Sequence, residues 1–445
     1  MVILNDQRPA EKMQTAQKDM ADLPVTWVLG DHPLELLAQV DLVCISGGVP
    51  LTLPMVVEAQ RRGIPLSNDS QIFMEEVPCP VIGITGSAGK TTTTTLVGRM
   101  AEASELRSKT WVGGNIGLPL IDQLEMIKRE DLVILELSSF QLELMSVSPQ
   151  IGAVLNITPN HLDRHRTMKA YLAAKARLLD FQSEHDFAVL GMDDPGAWSL
   201  AERVHGKLVT FGLVHPPTGQ PGTFLEQNKL ALYDGEKDQV LMPVETVELR
   251  GSHNLLNVLA ACAILYAAFE LYGKTAEEAL PVDAMKQAVS GFNGVPHRLE
   301  FIRAWKGVDW YNDSIATAPE RTLAAVRSFS EPLILLLGGR DKDLPWEELA
   351  EVICQRVNYV IVFGEAAGKI LEAIKSTRLR AVDTPAKRPF GLEQVSNLHE
   401  AVLRAAQVAE AGDVVLLSPG ATSFDSFRDF EERGEAFRTW VNQLS

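Results

Sequence analysis

Cysteine is scarce and scattered: Cys44, Cys79, Cys262 and Cys354 are the whole set, and no two of them form a C-x-x-C pair. That excludes a zinc framework and a disulfide scaffold, and leaves reduced core thiols as the expectation. Positive charge is short as well. With 41 Lys and Arg against 58 Asp and Glu, the formal net charge is -17 and no run of basic residues offsets it. A nucleic-acid partner, whose phosphates need clustered cations, is therefore not expected. No apolar run approaches the roughly 18 residues of a membrane span, and the N-terminus lacks a charged segment leading into an apolar one, so neither a membrane anchor nor a secretory signal is expected. The cytoplasm is the expected compartment. What is present is ordinary for a soluble globular chain: 46% hydrophobic and 22% charged over 445 residues, with room for about three domains.

Short apolar runs alternate with longer helical patterns throughout, the pattern of α/β units with largely parallel sheets. Three blocks emerge. The first, residues 1–78, has strand-like runs at Val2–Leu4, Asp41–Ser46 and Ile64–Ser67, with a helix near Leu53–Arg62; Pro78 and Pro80 punctuate its end. The second, 79–293, has buried parallel strands at Val81–Thr85, Asp131–Glu136, Ile151–Asn156 and Phe187–Leu190. A Gly- and Pro-rich stretch from Val209 to Val247 reads as a small antiparallel appendage, and a strongly apolar helix follows over Asn254–Tyr272. The third, 294–445, has strands at Leu333–Leu337, Tyr359–Phe363 and Val414–Leu417 separated by amphipathic helices, a Rossmann-like pattern without the glycine fingerprint.

The chemistry concentrates at predicted strand ends. The stretch Gly83-Ile84-Thr85-Gly86-Ser87-Ala88-Gly89-Lys90-Thr91-Thr92 follows an apolar run and opens a threonine-rich segment, so it predicts strand, glycine loop and helix. Such a loop cradles phosphate: backbone N–H groups close on the anion, the helix adds the positive end of its dipole, Lys90 reaches the terminal phosphates and Thr91 ligates Mg²⁺. The spacing is the short G-x-x-G-K-T, since the longer phosphate-loop pattern would want glycine at Ile84. Five consecutive threonines, Thr91 to Thr95, are poor helix interior but tolerable in a first turn held by a ligand. Glu136 ends the next strand, where ligands gather in open parallel sheets, and reads as a metal or water ligand. The polar cluster Asn156 to His165 follows a third strand, and a metal or phosphate role stands level there with a structural one. Lys175 lies in a helical period that by itself makes it a surface lysine. Asn254 reads as a helix cap, Arg298 as either a surface ion pair or a phosphate ligand, and Asp313 as either a ribose ligand or a cap.

Taken together and in this order, Gly86 to Thr91, Gly114-Asn115-Ile116-Gly117, Glu136 to Leu142, Asn160-His161-Leu162-Asp163-Arg164, Ala174-Lys175, His253 to Asn257 and His297-Arg298 resemble the Mur ligase family over nearly the whole chain. Asn312-Asp313-Ser314, Leu336 to Gly339 and Leu417 to Asp425 resemble its D-glutamate-adding branch. The resemblance implies three domains: a truncated Rossmann-like N-terminal domain, a central ATPase domain of phosphate-loop type with a parallel sheet, and a Rossmann-like C-terminal domain. It also implies an ATP-driven amide bond between UDP-N-acetylmuramoyl-L-alanine and D-glutamate through an acyl phosphate, made by a monomer. Two Mg²⁺ ions are implied, held by Thr91 and Glu136 and by His161 and a carbamylated Lys175. Asn115 is implied to orient the muramoyl substrate. Asn257, Arg298 and Asp313 are implied to hold ATP across the central and C-terminal domains, which close on binding. Thr317, Lys342, Ser423, Phe424 and Phe430 are implied to receive glutamate.

Two departures bear on this. Ile315 stands where family members often carry lysine, so a cation expected near the incoming amino acid is absent and Lys342 carries more of the carboxylate. The chain also opens directly on what looks like the second strand of its first domain, which leaves Asp6, Arg8, Ser46 with Gly47 and Gly48, and Asn68 as uridine-diphosphate contacts without the usual glycine turn. A start site placed too far downstream, or a natural truncation, is the expectation. The alternatives are another amide ligase of the superfamily, with a different amino acid, and a non-catalytic nucleotide-binding protein. The joint presence of Lys90, Glu136, His161 and Lys175 speaks against the latter.

Overall fold

The computed structural model describes residues 2–46, 49–115, 119–159, 162–249, 251–273, 279–341, 344–380 and 388–445. Contacts divide it into two units, Met1–Gly291 and Phe292–Ser445. The first unit begins with two short parallel pairs, β1 (Val2–Asp6) with β2 (Val25–Leu29) and β3 (Val43–Cys44) with β4 (Leu66–Ser67). It continues into a nine-stranded sheet of β5 (Val81–Thr85), β6 (Thr110–Gly114), β7 (Leu132–Glu136), β8 (Ile151–Val154), β9 (Phe187–Gly191), β10 (Lys207–Phe211), β11 (Gly222–Glu226), β12 (Lys229–Tyr233) and β13 (Asp238–Pro243). Their order in space is β13-β12-β11-β10-β9-β8-β5-β7-β6. From β5 to β11 every pairing is parallel, and β5, β7, β8 and β9 are buried throughout, which is why they read as continuous apolar runs rather than alternating ones.

Three expectations change here. The stretch from Val209 to Val247 is no separate appendage: β10 pairs parallel with β9, and β11, β12 and β13 carry the same sheet on to an antiparallel edge. The helix Ser252–Tyr272 contains a 20-residue stretch, His253–Tyr272, apolar and long enough to cross a membrane. It is instead a core helix, because Val258 to Leu265 have no exposure and its neighbours are the helix Lys90–Ala103 and strands β8 to β11. Finally, Cys79 and Cys262 are buried, but Cys44 is exposed and Cys354 half-buried.

The second unit is a six-stranded sheet of β14 (Glu300–Trp305), β15 (Val308–Asn312), β16 (Leu333–Gly338), β17 (Val357–Phe363), β18 (Gly391–Gln394) and β19 (Val414–Leu417), in the order β14-β15-β19-β16-β17-β18. Only β14, joined to β15 as a hairpin, runs antiparallel. Strand alternation sorts the core into two layers. Leu333, Leu335 and Leu337 of β16 join the cluster on one face, with Val326 and Ile353, while Ile334 and Leu336 join the cluster on the other, with Trp310 and Phe437.

Candidate active site

Strands β8, β5 and β7 are neighbours in the first unit, so the segments leaving their carboxyl ends meet on one rim. After β5 the chain makes the glycine loop and enters the helix Lys90–Ala103, whose N-cap is Gly89 at φ +82°. That backbone conformation favours glycine. A Cβ there would also lie 2.2 Å from Asn257 Oδ1, so Asn257 packs directly on the loop. The loop is braced from the β8 side: Asn156 Oδ1 accepts from the Ala88 N–H at 2.8 Å, and its Nδ2 donates to the Ala88 carbonyl at 3.1 Å. Ser87 Oγ lies 3.0 Å from Tyr171 Oη and donates to the Thr158 carbonyl at 3.0 Å. Of the five threonines, Thr91, Thr93 and Thr94 are buried, with the Thr93 and Thr94 hydroxyls lacking a hydrogen-bond partner among the described residues, and Thr95 Oγ1 donates to the Thr91 carbonyl at 2.8 Å.

Two lysines converge on one carbonyl. Lys90 Nζ donates to the Gly86 oxygen at 3.0 Å, and Lys175 Nζ donates to the same oxygen at 2.9 Å and to Thr85 Oγ1 at 3.1 Å. Lys175 is thus no surface lysine. It is 1% exposed, because its place in the helix Met168–Asp180 turns it toward β5. Burial drives its ammonium well below the ordinary lysine range; the neighbouring Lys90 charge adds to this and the Glu136 charge opposes it. The ring of Tyr171, one helical turn earlier, lies 4.8 Å from Lys175 Nζ.

Glu136 is 2% exposed at the end of β7. Its Oε1 accepts from Asn115 Nδ2 at 2.9 Å, while Oε2 is buried without a hydrogen-bond partner. Asn115 also donates its own N–H to the Glu136 carbonyl, so the pair is locked at backbone and side chain. A carboxylate oxygen sealed from water without a donor is costly, and a divalent cation would satisfy it. Thr91, buried on the adjacent helix, has a hydroxyl suited to the same ion. His161, Gly47, Gly48 and Lys342 lie outside the described residues. Among the described residues no three His, Cys, Asp or Glu side chains converge.

The remaining candidates are distributed as follows. Asp6 and Arg8 bind one another at 2.7 Å on the surface, which holds the Asp6 carboxyl down at about 2, and Ser46 is exposed. Asn68 has its amide engaged, as cap to the Gln71 N–H and as donor to the Gln141 carbonyl. In the second unit, Asp313 follows β15 and is buried. Desolvation pushes its carboxyl up to about 7, against hydrogen bonds from Ser418 Oγ at 2.7 Å and the Leu299 N–H at 3.2 Å and the charges of Arg298 and Arg321. Arg298 is exposed, Thr317 half-buried and Ser423 buried; Phe424 is exposed, and the Phe430 carbonyl accepts from Ser314 Oγ at 2.8 Å. Ile315, between these residues, is half-buried and brings no charge.

The Mur ligase middle domain matches residues 84–265, and the glutamate ligase domain of the same family matches residues 297–420. The UDP-N-acetylmuramoylalanine--D-glutamate ligase of Symbiobacterium thermophilum is 40% identical over 440 residues, spanning 99% of this chain and 92% of that protein. The chain belongs to the Mur ligase family. The protein of the same name from Koribacter versatilis is 37% identical, spanning 100% of this chain and 92% of its own. Mur ligases of known structure share the fold. MurF of Thermotoga maritima in complex with ADP superposes with a TM-score of 0.55 at 17% identity, over 100% of this chain and 95% of that one. MurF of Acinetobacter baumannii does so at 0.56 and 16%, over 83% and 79%. In this Mur ligase, sequence reasoning passed over Asn156 and Tyr171 as loop partners. Tyr171 carried a usable signal, since it stands four residues before Lys175 on one helix face.

Proposed function

We propose that this chain joins D-glutamate to UDP-N-acetylmuramoyl-L-alanine at the expense of ATP. The observation that carries the reading is the 40% identity, over 99% of the chain, to a protein named for that reaction. The geometry suits the chemistry. An alanyl carboxylate oxygen attacks the γ-phosphorus, the bond to the β-phosphate oxygen breaks, and ADP leaves. The glutamate amine then attacks the acyl carbon, and the tetrahedral intermediate expels phosphate as the amine loses its proton. Phosphoryl transfer asks for positioning and charge neutralisation: Lys90 and the first-turn N–H groups of the helix Lys90–Ala103 hold the phosphates, and Asn257 and Asn156 keep the loop in shape.

Mg²⁺ fits this rim, with Thr91 and the unpartnered Oε2 of Glu136 as its holders. When bound it neutralises phosphate charge. Lys175 is suited to carbamylation, because burial favours the neutral amine over the ammonium, and it is the amine's lone pair that adds to CO₂ with loss of a proton. The carbamate oxygen and His161 would then serve a second ion. Glutamate is assigned to Thr317, Lys342, Ser423, Phe424 and Phe430, ATP further to Arg298 and Asp313, and the muramoyl group to Asn115. We take the enzyme to be a cytoplasmic monomer.

The test is phosphate release with purified protein. Release is expected to require ATP, UDP-N-acetylmuramoyl-L-alanine and D-glutamate together, and Lys90→Ala is expected to abolish it. Because Ile315 supplies no cation, L-glutamate and diamino acids belong in the same panel; release with one of these in place of D-glutamate would reassign the amino acid.

A further inference from the structure

Beside the phosphate loop, one more titratable cluster, with its imidazole buried and its acid part-exposed, lies at the rim of the central sheet. His165 Nε2 lies 2.9 Å from Ser139 Oγ, and its Nδ1 lies 3.0 Å from Glu143 Oε1, close enough for an ion pair though not aligned as a hydrogen bond. The connectivity is that of a serine, histidine and acid relay. Ser139, however, is 3% exposed, so no substrate carbonyl reaches it and nucleophilic catalysis is excluded. What the imidazole touches points elsewhere. It stacks on Phe140 with ring centroids 5.4 Å apart and planes 8° from parallel, and it leans on Tyr171 at 5.2 Å. Tyr171 in turn meets Ser87 of the phosphate loop and places its ring by Lys175 Nζ.

We propose that His165 is a positioning residue for phosphoryl transfer. It fastens three segments at one point: the turn that follows Glu136 at the end of β7, the end of the segment after β8, and the helix Met168–Asp180 that carries Tyr171 and Lys175. Release of the imidazole frees Tyr171 to shift, and with it the Ser87 side of the phosphate loop. Misplacement by about 1 Å in such a loop is enough to cost up to about 100-fold in rate. The kinetic part of the inference rests on the ligase reading above; the nucleotide-binding part does not.

The experiment compares His165→Phe, which keeps a ring between Phe140 and Tyr171 but removes the polar contacts to Ser139 and Glu143, with Ser139→Ala, which removes a single hydroxyl and leaves the packing intact. For His165→Phe, kcat is expected to fall about 10- to 100-fold and the calorimetric Kd for ADP to rise about tenfold, while the KM for D-glutamate stays within about twofold. Ser139→Ala is expected to move the same parameters in the same direction. The double variant is expected to be no worse than His165→Phe, since the two side chains act through one contact. His165→Gln, which restores a donor toward Ser139, is expected to recover part of the loss. The proposal is overturned if both single variants keep kcat and ADP affinity within about twofold of wild type, if the two losses multiply, or if only the melting temperature falls. Should the wild-type protein release no phosphate, the ligase reading fails while the ADP titration still decides this one.

Discussion

At the residue scale, Lys175 shows how a site is made from a cost. A lysine in water keeps its proton up to about pH 10.4. Here burial and the adjacent Lys90 remove it well below that. The unfolded chain therefore binds a proton that the folded chain does not, and stability attributable to this residue rises with pH through the window between the depressed and the ordinary value. Lys175→Met, of similar length and uncharged, should melt several degrees above wild type near pH 7 in bicarbonate-free buffer, with the gap closing toward pH 10; thermal melts across that range check it. The same variant should lose phosphate release. A variant that melts lower than wild type at pH 7 would show that the two hydrogen bonds to Gly86 and Thr85 outweigh desolvation. The sequence announced Lys175 only through resemblance, because its helical period by itself reads as that of a surface lysine, whereas the fold buries it.

At the scale of elements, the loop between β5 and the helix Lys90–Ala103 depends on one backbone conformation and one close approach, both at Gly89. Gly89→Ala meets a positive φ and a 2.2 Å encounter with Asn257 Oδ1. Gly219, in the turn between β10 and β11, has φ +79° with nothing within 4 Å, so Gly219→Ala isolates the strain alone. Gly219→Ala is expected to cost about 1 kcal/mol of stability and leave catalysis unchanged. Gly89→Ala is expected to cost more and to raise the Kd for ATP at least tenfold, read by denaturant melts and calorimetry. Equal effects of the two would mean that Asn257 yields freely and is not part of the cradle. The glycine loop was legible because its residues are contiguous. Asn156 and Asn257, which brace it, lie 68 and 168 positions from Ala88 and Gly89, and although both stand in clusters the sequence marks, no local pattern shows that they meet the loop.

At the scale of the whole molecule, the second unit has its own two-layered core and closes on itself. Arg303 donates to the Asn442 and Leu444 carbonyls at 3.0 and 2.7 Å, tying the last helix to the strand that opens the unit. Buried Arg433 donates to the Ser314, Gly338 and Ala421 carbonyls and to Ser314 Oγ, which joins the loops at the carboxyl ends of its strands. Residues 292–445 expressed alone are therefore expected to unfold in one cooperative transition, as monitored by circular dichroism, and to release no phosphate, since Lys90 and Glu136 belong to the first unit. A broad, non-cooperative melt would show that this core needs the rest of the chain. The division between the units falls at Gly291 to Phe292, where Gly291 and Gly294 both have positive φ, +69° and +109°.

Runs of apolar residues are local, and so is the chemistry of glycine, lysine and threonine in succession. The sequence by itself therefore determined the alternating α/β architecture, the phosphate loop and the family order of the motifs. Burial is not local, since it depends on which surfaces meet. Only the tertiary structure decided that Lys175 points inward, that Glu136 keeps one oxygen without a partner, that the longest apolar helix is a core element, and that β10 to β13 extend the main sheet. In each case the deciding contact spans a separation in sequence that periodicity does not carry.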